Sequence, residues 1–145
     1  MKPRLIPFLA SISLILAACG STATPTAQVP AQPAADSSAL FQIVKPNGAK
    51  FDVMLDAVKK LPLAQITVDG KVQEGPKLLN VLSLAGITDF TELTITGSSA
   101  PTTLTRAQVD DNTILDFSNR GTMKLATTYI PKDNWTKDIT EITVK

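Results

Sequence analysis

Glu74-Gly75-Pro76-Lys77-Leu78-Leu79-Asn80-Val81-Leu82-Ser83-Leu84-Ala85-Gly86-Ile87 carries the clearest helix signal in the chain. Pro76 suits the first helical position, where its missing N–H is not needed, and Gly86 suits the residue just past the end. Between them Leu78, Leu79, Leu82 and Ala85 form an apolar stripe at helical spacing, widened by Val81. The stripe predicts a core helix, and a helix with one apolar face needs another layer to bury it.

Working back towards the N-terminus, Ile66 and Val68 alternate with Thr67, Asp69-Gly70 turns the chain, and Val72 begins a return strand. Before that, Val53, Met54, Ala57, Val58 and Leu61 share a helical face. Asp52 is placed to cap this shorter helix after Phe51, and Pro62 to end it. Leu40 to Val44 alternates as a strand does, and Pro46-Asn47-Gly48 is a turn signal in which Asn-Gly favours a tight hairpin. Working forward, Leu93 and Ile95 alternate with polar neighbours and Thr102 to Leu104 forms another short strand. Thr105-Arg106-Ala107-Gln108-Val109 has the pattern of a capped single turn. Ile114 to Phe117, Met123 to Ala126 and Ile139 to Val144 follow, with Asn119-Arg120-Gly121 as a turn. Threonine and β-branched residues dominate these runs, as strands prefer. The predicted class is α+β: a mostly antiparallel sheet of short strands with two short helices packed on it.

The first 39 residues have a different character. Lys2 and Arg4 precede the apolar run Leu5 to Leu16, and Ala17-Ala18 supplies small residues ahead of Cys19, the only cysteine among 145 residues. Charged start, apolar run and small-residue site form the layout of a secretory signal peptide. A bilayer span needs about 20 apolar residues, more than this run offers. A cysteine directly after such a site makes Leu16-Ala17-Ala18-Cys19 resemble the lipobox of bacterial lipoproteins. That resemblance implies removal of residues 1–18 and a diacylglycerol on the Cys19 thiol, hence a membrane anchor on the extracytoplasmic side of the cell envelope. Gly20, rather than Asp, after the lipidated position resembles proteins sorted to the outer of two membranes. Residues 19–39 then form a tether rich in Pro, Ala and Thr that has too little apolar surface to offset its ordering entropy. Residues 40–145 form the folded domain, large enough to bury a core without disulfides.

Composition closes off several chemistries. There is no histidine, so Ser-His-Asp and Cys-His devices lack their base. With Cys19 capped by lipid, neither thiolate nor imidazole remains to hold catalytic zinc or haem. No Ser-x-x-Lys pair, Gly-x-Gly-x-x-Gly or P-loop is present. The formal charge of +1 becomes −1 when Lys2 and Arg4 leave with the signal, which gives no electrostatic case for nucleic acid. Asp110-Asp111-Asn112 is the one dense cluster of oxygen ligands, a candidate calcium loop whose bland reading is a solvated turn. Trp135 and Tyr129 are candidates for a binding surface, with packing an equal reading for Trp135.

The order of signals resembles the molybdopterin-binding domain of the sulfite oxidase family of oxidoreductases. Phe51 to Pro62 is similar to that family's first helix ending in Leu-Pro, and Glu74 to Ile87 to its Gly-x-x-Leu-x-x-Leu-Leu-x-x-Ala-Gly-Val helix. Thr103 to Val109 is similar to the strand and turn that follow, and Trp135 to Ile142 to its closing Trp-Val-Lys-x-Ile-x-x-Ile strand. The resemblance spans roughly residues 41–145. It implies a molybdopterin held through a cysteine thiolate just upstream of the Gly-x-x-Leu helix. The corresponding window, Ile66 to Gly75, contains no cysteine, and Lys2-Pro3-Arg4 lacks the arginine pair of a twin-arginine signal. The expectation is therefore a lipid-anchored, non-catalytic domain without cofactor or metal, which binds a small ligand or another envelope protein. The alternative is a pterin-binding redox protein or an accessory subunit of an envelope oxidoreductase. No catalytic residue is expected, and Cys19 is the one site residue, for lipidation.

Overall fold

The computed structural model describes residues 38–145. The Leu16–Cys19 lipobox and most of the 19–39 tether lie outside the described residues. The chain forms strands β1 (Ala39–Val44) and β2 (Lys50–Met54), helix α1 (Leu55–Lys59), strands β3 (Leu63–Val68) and β4 (Lys71–Pro76), and helix α2 (Leu78–Leu84). Strands β5 (Glu92–Thr96), β6 (Thr102–Thr105), β7 (Thr113–Phe117), β8 (Met123–Thr127) and β9 (Glu141–Val144) complete it. The class is α+β, with mostly antiparallel strands and two short helices.

One five-stranded sheet runs in the order β2-β1-β9-β5-β6, and all its neighbours are antiparallel except β1 and β9. Its register explains its sidedness. Ile43 lies opposite Phe51 on one side and Ile142 on the other; Ile142 faces Ile95, and Leu93 faces both Val144 and Leu104. Because side chains alternate along a strand, these residues share one face, and most of them are fully buried. The opposite face carries Gln42, Thr94, Thr103, Glu141 and Thr143, none of them buried, with Gln42 Nε2 donating to Asp52 at 2.7 Å. The buried face packs on Val58 of α1, Leu78, Val81 and Leu82 of α2, and Leu115, Met123 and Leu125 of the β7-β8 hairpin. The other side of that hairpin presents Ile114 and Ala126 to Ile66 of β3 and to Trp135, making a second, smaller cluster.

Three local readings need correction. Phe51 to Met54 is strand, not helix. The α1 helix is only Leu55–Lys59, its N-cap position is Met54, and Asp52 caps nothing. The reason is the turn before it. Lys45 N donates to Ala49 O and Gly48 N to Lys45 O, both at 2.8 Å, so a three-residue loop delivers Lys50 opposite Val44 and pairing begins at once. The turn at Pro46-Asn47-Gly48 therefore joins two paired strands, as its signal led one to expect. Second, Pro76 ends β4 opposite Leu63 rather than opening α2, whose N-cap position is Lys77. A residue before proline is held extended, which keeps Gly75 in the strand. Third, β9 starts at Glu141, not Ile139.

The other signals hold. Asp69 and Gly70 both have positive φ (51° and 71°) and join β3 to β4 as a two-residue hairpin turn. Gly86 follows α2 at φ 73°, with its N–H on Ser83 O at 2.9 Å, and Ile87 N reaches Leu82 O at 3.1 Å. That is the Schellman arrangement, with Ile87 and Leu82 both buried beside it. Thr105 and Gln108 close a capping box around the 3-10 turn Arg106–Gln108.

Candidate functional site

The Trp135–Ile139 segment determines what the surface offers. Leu125 N donates to Thr136 O and Ile139 N to Met123 O, at 2.9 and 2.8 Å, so the segment runs along the free edge of β8. Thr140 N then donates to Thr96 O at 2.9 Å, and the chain enters β9. Thr136 is fully buried, and its hydroxyl bonds the Thr102 hydroxyl at 2.9 Å. The β5-β6 loop closes over this segment. Gly97 lies so close that a Cβ there would overlap the Lys137 carbonyl, and Ser98 N donates to that same carbonyl at 2.8 Å.

The segment carries Asp138 in a left-handed conformation, φ 44°, uncommon for a residue with a Cβ. Its carboxylate holds that geometry through a set of donors. Thr122 Oγ1 donates to Oδ1 at 2.6 Å, Ser98 Oγ to Oδ2 at 2.7 Å, and the Arg120 guanidinium to Oδ2 at 3.2 Å. These bonds favour the ionised form. The Thr122 hydroxyl, then the Ser98 hydroxyl, hold the carboxyl below its ordinary range, with Arg120 and Lys137 adding their charge. A carboxylate so well satisfied is a weak base, and its chemistry here is to pin the β7-β8 turn and the β5-β6 loop to one point.

Beside Asp138 opens a cleft of about 290 Å³ between the β7-β8 turn and the Lys137-Asp138 backbone. Phe117, half-buried against the main core, gives it an apolar wall. Arg120, Lys124 and Lys137 line it with positive charge. Lys124 is anchored by Asp116 at 3.0 Å and by Gln73 Oε1 at 2.9 Å, and Gln73 is itself buried in β4. This gathering is the site the sequence did not announce. Its members are spread over 22 residues with no helical or alternating spacing, and only the folding back of residues 135–139 along β8 brings them together.

The residues singled out from sequence fall elsewhere. Asp110 and Asp111 do not converge on a shared point for a cation. Asp110 accepts from the Tyr129 hydroxyl at 2.5 Å and from Asn112 N at 2.8 Å, whereas Asp111 pairs with Lys77 at 2.6 Å. The Tyr129 hydroxyl is the main reason that the Asp110 carboxyl is lowered, and the same bond raises the Tyr129 phenol. Among the described residues no three His, Cys, Asp or Glu side chains are grouped as metal ligands. Trp135 is buried, with its indole N–H donating to Thr127 O at 3.2 Å, so its ring packs in the smaller cluster while the residue also borders a shallow cleft beside Thr102 and Asn134; Tyr129 is exposed. In the Ile66–Gly75 window, Gln73 Nε2 donates to Val72 O at 3.0 Å while its Oε1 serves Lys124. No sulfur stands where the molybdopterin resemblance would put a thiolate.

No protein-family model matches the chain, and no curated protein matches it. Among the described residues no helix is long and apolar enough to cross a membrane.

Proposed function

We propose that the chain is a lipid-anchored extracytoplasmic binding domain, tethered through Cys19 and without catalytic chemistry of its own. The observation that carries this reading is the Leu16-Ala17-Ala18-Cys19 lipobox behind a short apolar leader, followed by a tether and an α+β domain. The carboxylates at its two polar clusters support the non-catalytic part. Asp138 and Asp110 are both hydrogen-bonded into their low-pKa forms, the opposite of what a general base at neutral pH requires.

In this reading the domain is a reduced relative of the molybdopterin-binding fold. The fit of that cofactor fails on the residues present. The window that would carry the thiolate is a two-residue hairpin whose one buried polar side chain, Gln73, is already engaged. No step is therefore assigned to a molybdenum centre.

The test is membrane fractionation of the protein expressed in a bacterial host, beside Cys19→Ala. Wild type stays in the pellet through a high-salt wash, because each buried acyl methylene contributes about 0.8 kcal/mol and two chains suffice for stable anchoring. Cys19→Ala should lose the lipid. If both proteins remain lipidated or neither does, the anchor reading fails; stoichiometric pterin in the purified wild type would defeat the non-catalytic reading.

A further inference from the structure

We propose that the cleft between Phe117, Arg120, Lys124 and Lys137 binds a small organic carboxylate, a monoanion with an apolar body. This deepens the binding role above and rests on it.

Charge fixes the class. Two of the cations are already paired: Arg120 with Asp138 at 3.2 Å, and Lys124 with Asp116 at 3.0 Å. Asp138 and Asp116 are the less exposed partners, with side chains 20% and 17% accessible; Asp138 borders the cleft and Asp116 does not. Lys137 is exposed at the rim and leaves the group one positive charge in excess. An excess of one suits a single carboxylate better than a dianion, which would leave one negative charge uncompensated beside the two acidic groups.

Donor geometry fixes the head group. Arg120 engages Asp138 through NH1 alone and its side chain is 79% exposed, so most of its planar fork of N–H donors remains to be used. A planar fork matches a carboxylate in two parallel bonds. Lys124 spends two of its three donors on Asp116 and Gln73 and keeps one. Phe117 fixes the tail, since its half-buried ring offers apolar contact at the cleft wall. At about 290 Å³ the cleft lies at the small end of ligand sites, room for one ring rather than a chain of them. The walls are held beforehand by the Thr122–Asp138–Ser98 bonds, so little ordering remains for the ligand to impose.

The experiment is a calorimetric titration of the full lipidated protein in a neutral detergent with sodium benzoate, with inorganic phosphate and benzyl alcohol as matched probes. Benzoate should bind saturably in the millimolar range, more tightly than either, because only it offers both charge and ring. Lys137→Gln should weaken it about tenfold and change the melting temperature little, since the Lys137 side chain bonds no neighbouring element and its charge is the least of the influences on Asp138. Phe117→Leu should weaken benzoate and leave phosphate unaffected. Absence of saturable benzoate binding, equal binding by Lys137→Gln, or tighter binding of phosphate would each overturn the inference. A protein that ignores benzoate but is still anchored through Cys19 and free of pterin keeps the lipid-anchored binding role and loses only this ligand. One that carries pterin loses the non-catalytic role whatever benzoate does.

Discussion

Asp138 shows how one residue can settle the shape of a surface. Its left-handed backbone carries a steric cost that Asp and Asn tolerate better than most residues, and three side-chain donors offset it most strongly while the carboxyl is ionised. The pH consequence follows from the lowered pKa. A group whose folded pKa lies below its unfolded value contributes stability that is complete above the unfolded value and is lost as pH falls through the folded one. Asp138→Asn keeps a residue suited to the left-handed region but gives up the charge. Its melting temperature should therefore lie below wild type at neutral pH, with the gap closing as pH falls below the ordinary carboxylate value of about 3.9. A gap that stays constant through that fall would mean that the carboxylate charge contributes nothing. The Tyr129–Asp110 bond makes the same demand with two limits, an ionised carboxylate in acid and a protonated phenol in base.

At the scale of the element, legibility followed the strength of the local rule. Asp69-Gly70 was readable because a two-residue hairpin turn of type I′ needs positive φ at both positions, which Gly and Asp accept. The α2 stop was readable because Gly86 alone could take φ 73°. Gly86→Ala meets no neighbouring atom, so its cost is purely conformational, on the order of 1 kcal/mol. Urea unfolding should show that loss with an unchanged slope, and an unshifted midpoint would contradict the cap assignment. Phe51 to Met54 misled for a physical reason. Val53, Met54, Ala57 and Val58 satisfy helical spacing, while Phe51 and Val53 equally satisfy alternation, and a run this short cannot separate the two periods. Tertiary pairing decided, because the strand that the Lys45–Ala49 turn delivers completes a row with Phe41 and Ile43. Pro76 was ambiguous in the same way, since a proline is at home both at the end of a strand and at the start of a helix.

Across the whole molecule, what the sequence withheld is what depends on distant partners. The parallel pairing of β1 with β9 joins the two ends of the domain, and no local pattern names it. The cationic cleft arises likewise: Lys137 comes to Arg120 and Lys124 only because residues 135–139 lie along β8 before the chain crosses into the central sheet. The class, the helix stripe and most strands were local and could be read; the sheet order and the site were not. Near the start of the described residues the Ser38 carbonyl takes the Leu55 N–H at 3.4 Å, and Gln42, Ile43 and Val44 of β1 are held between β2 and β9. We propose that this domain is carried by lipid at Cys19 and works by binding rather than by a pterin cofactor. Native mass spectrometry of the protein extracted from its own membranes tests both halves at once. The expected result is a chain beginning at Cys19, heavier than its sequence by a diacylglycerol and with no noncovalent pterin. An unmodified Cys19, or a stoichiometric pterin mass on the folded protein, would contradict it.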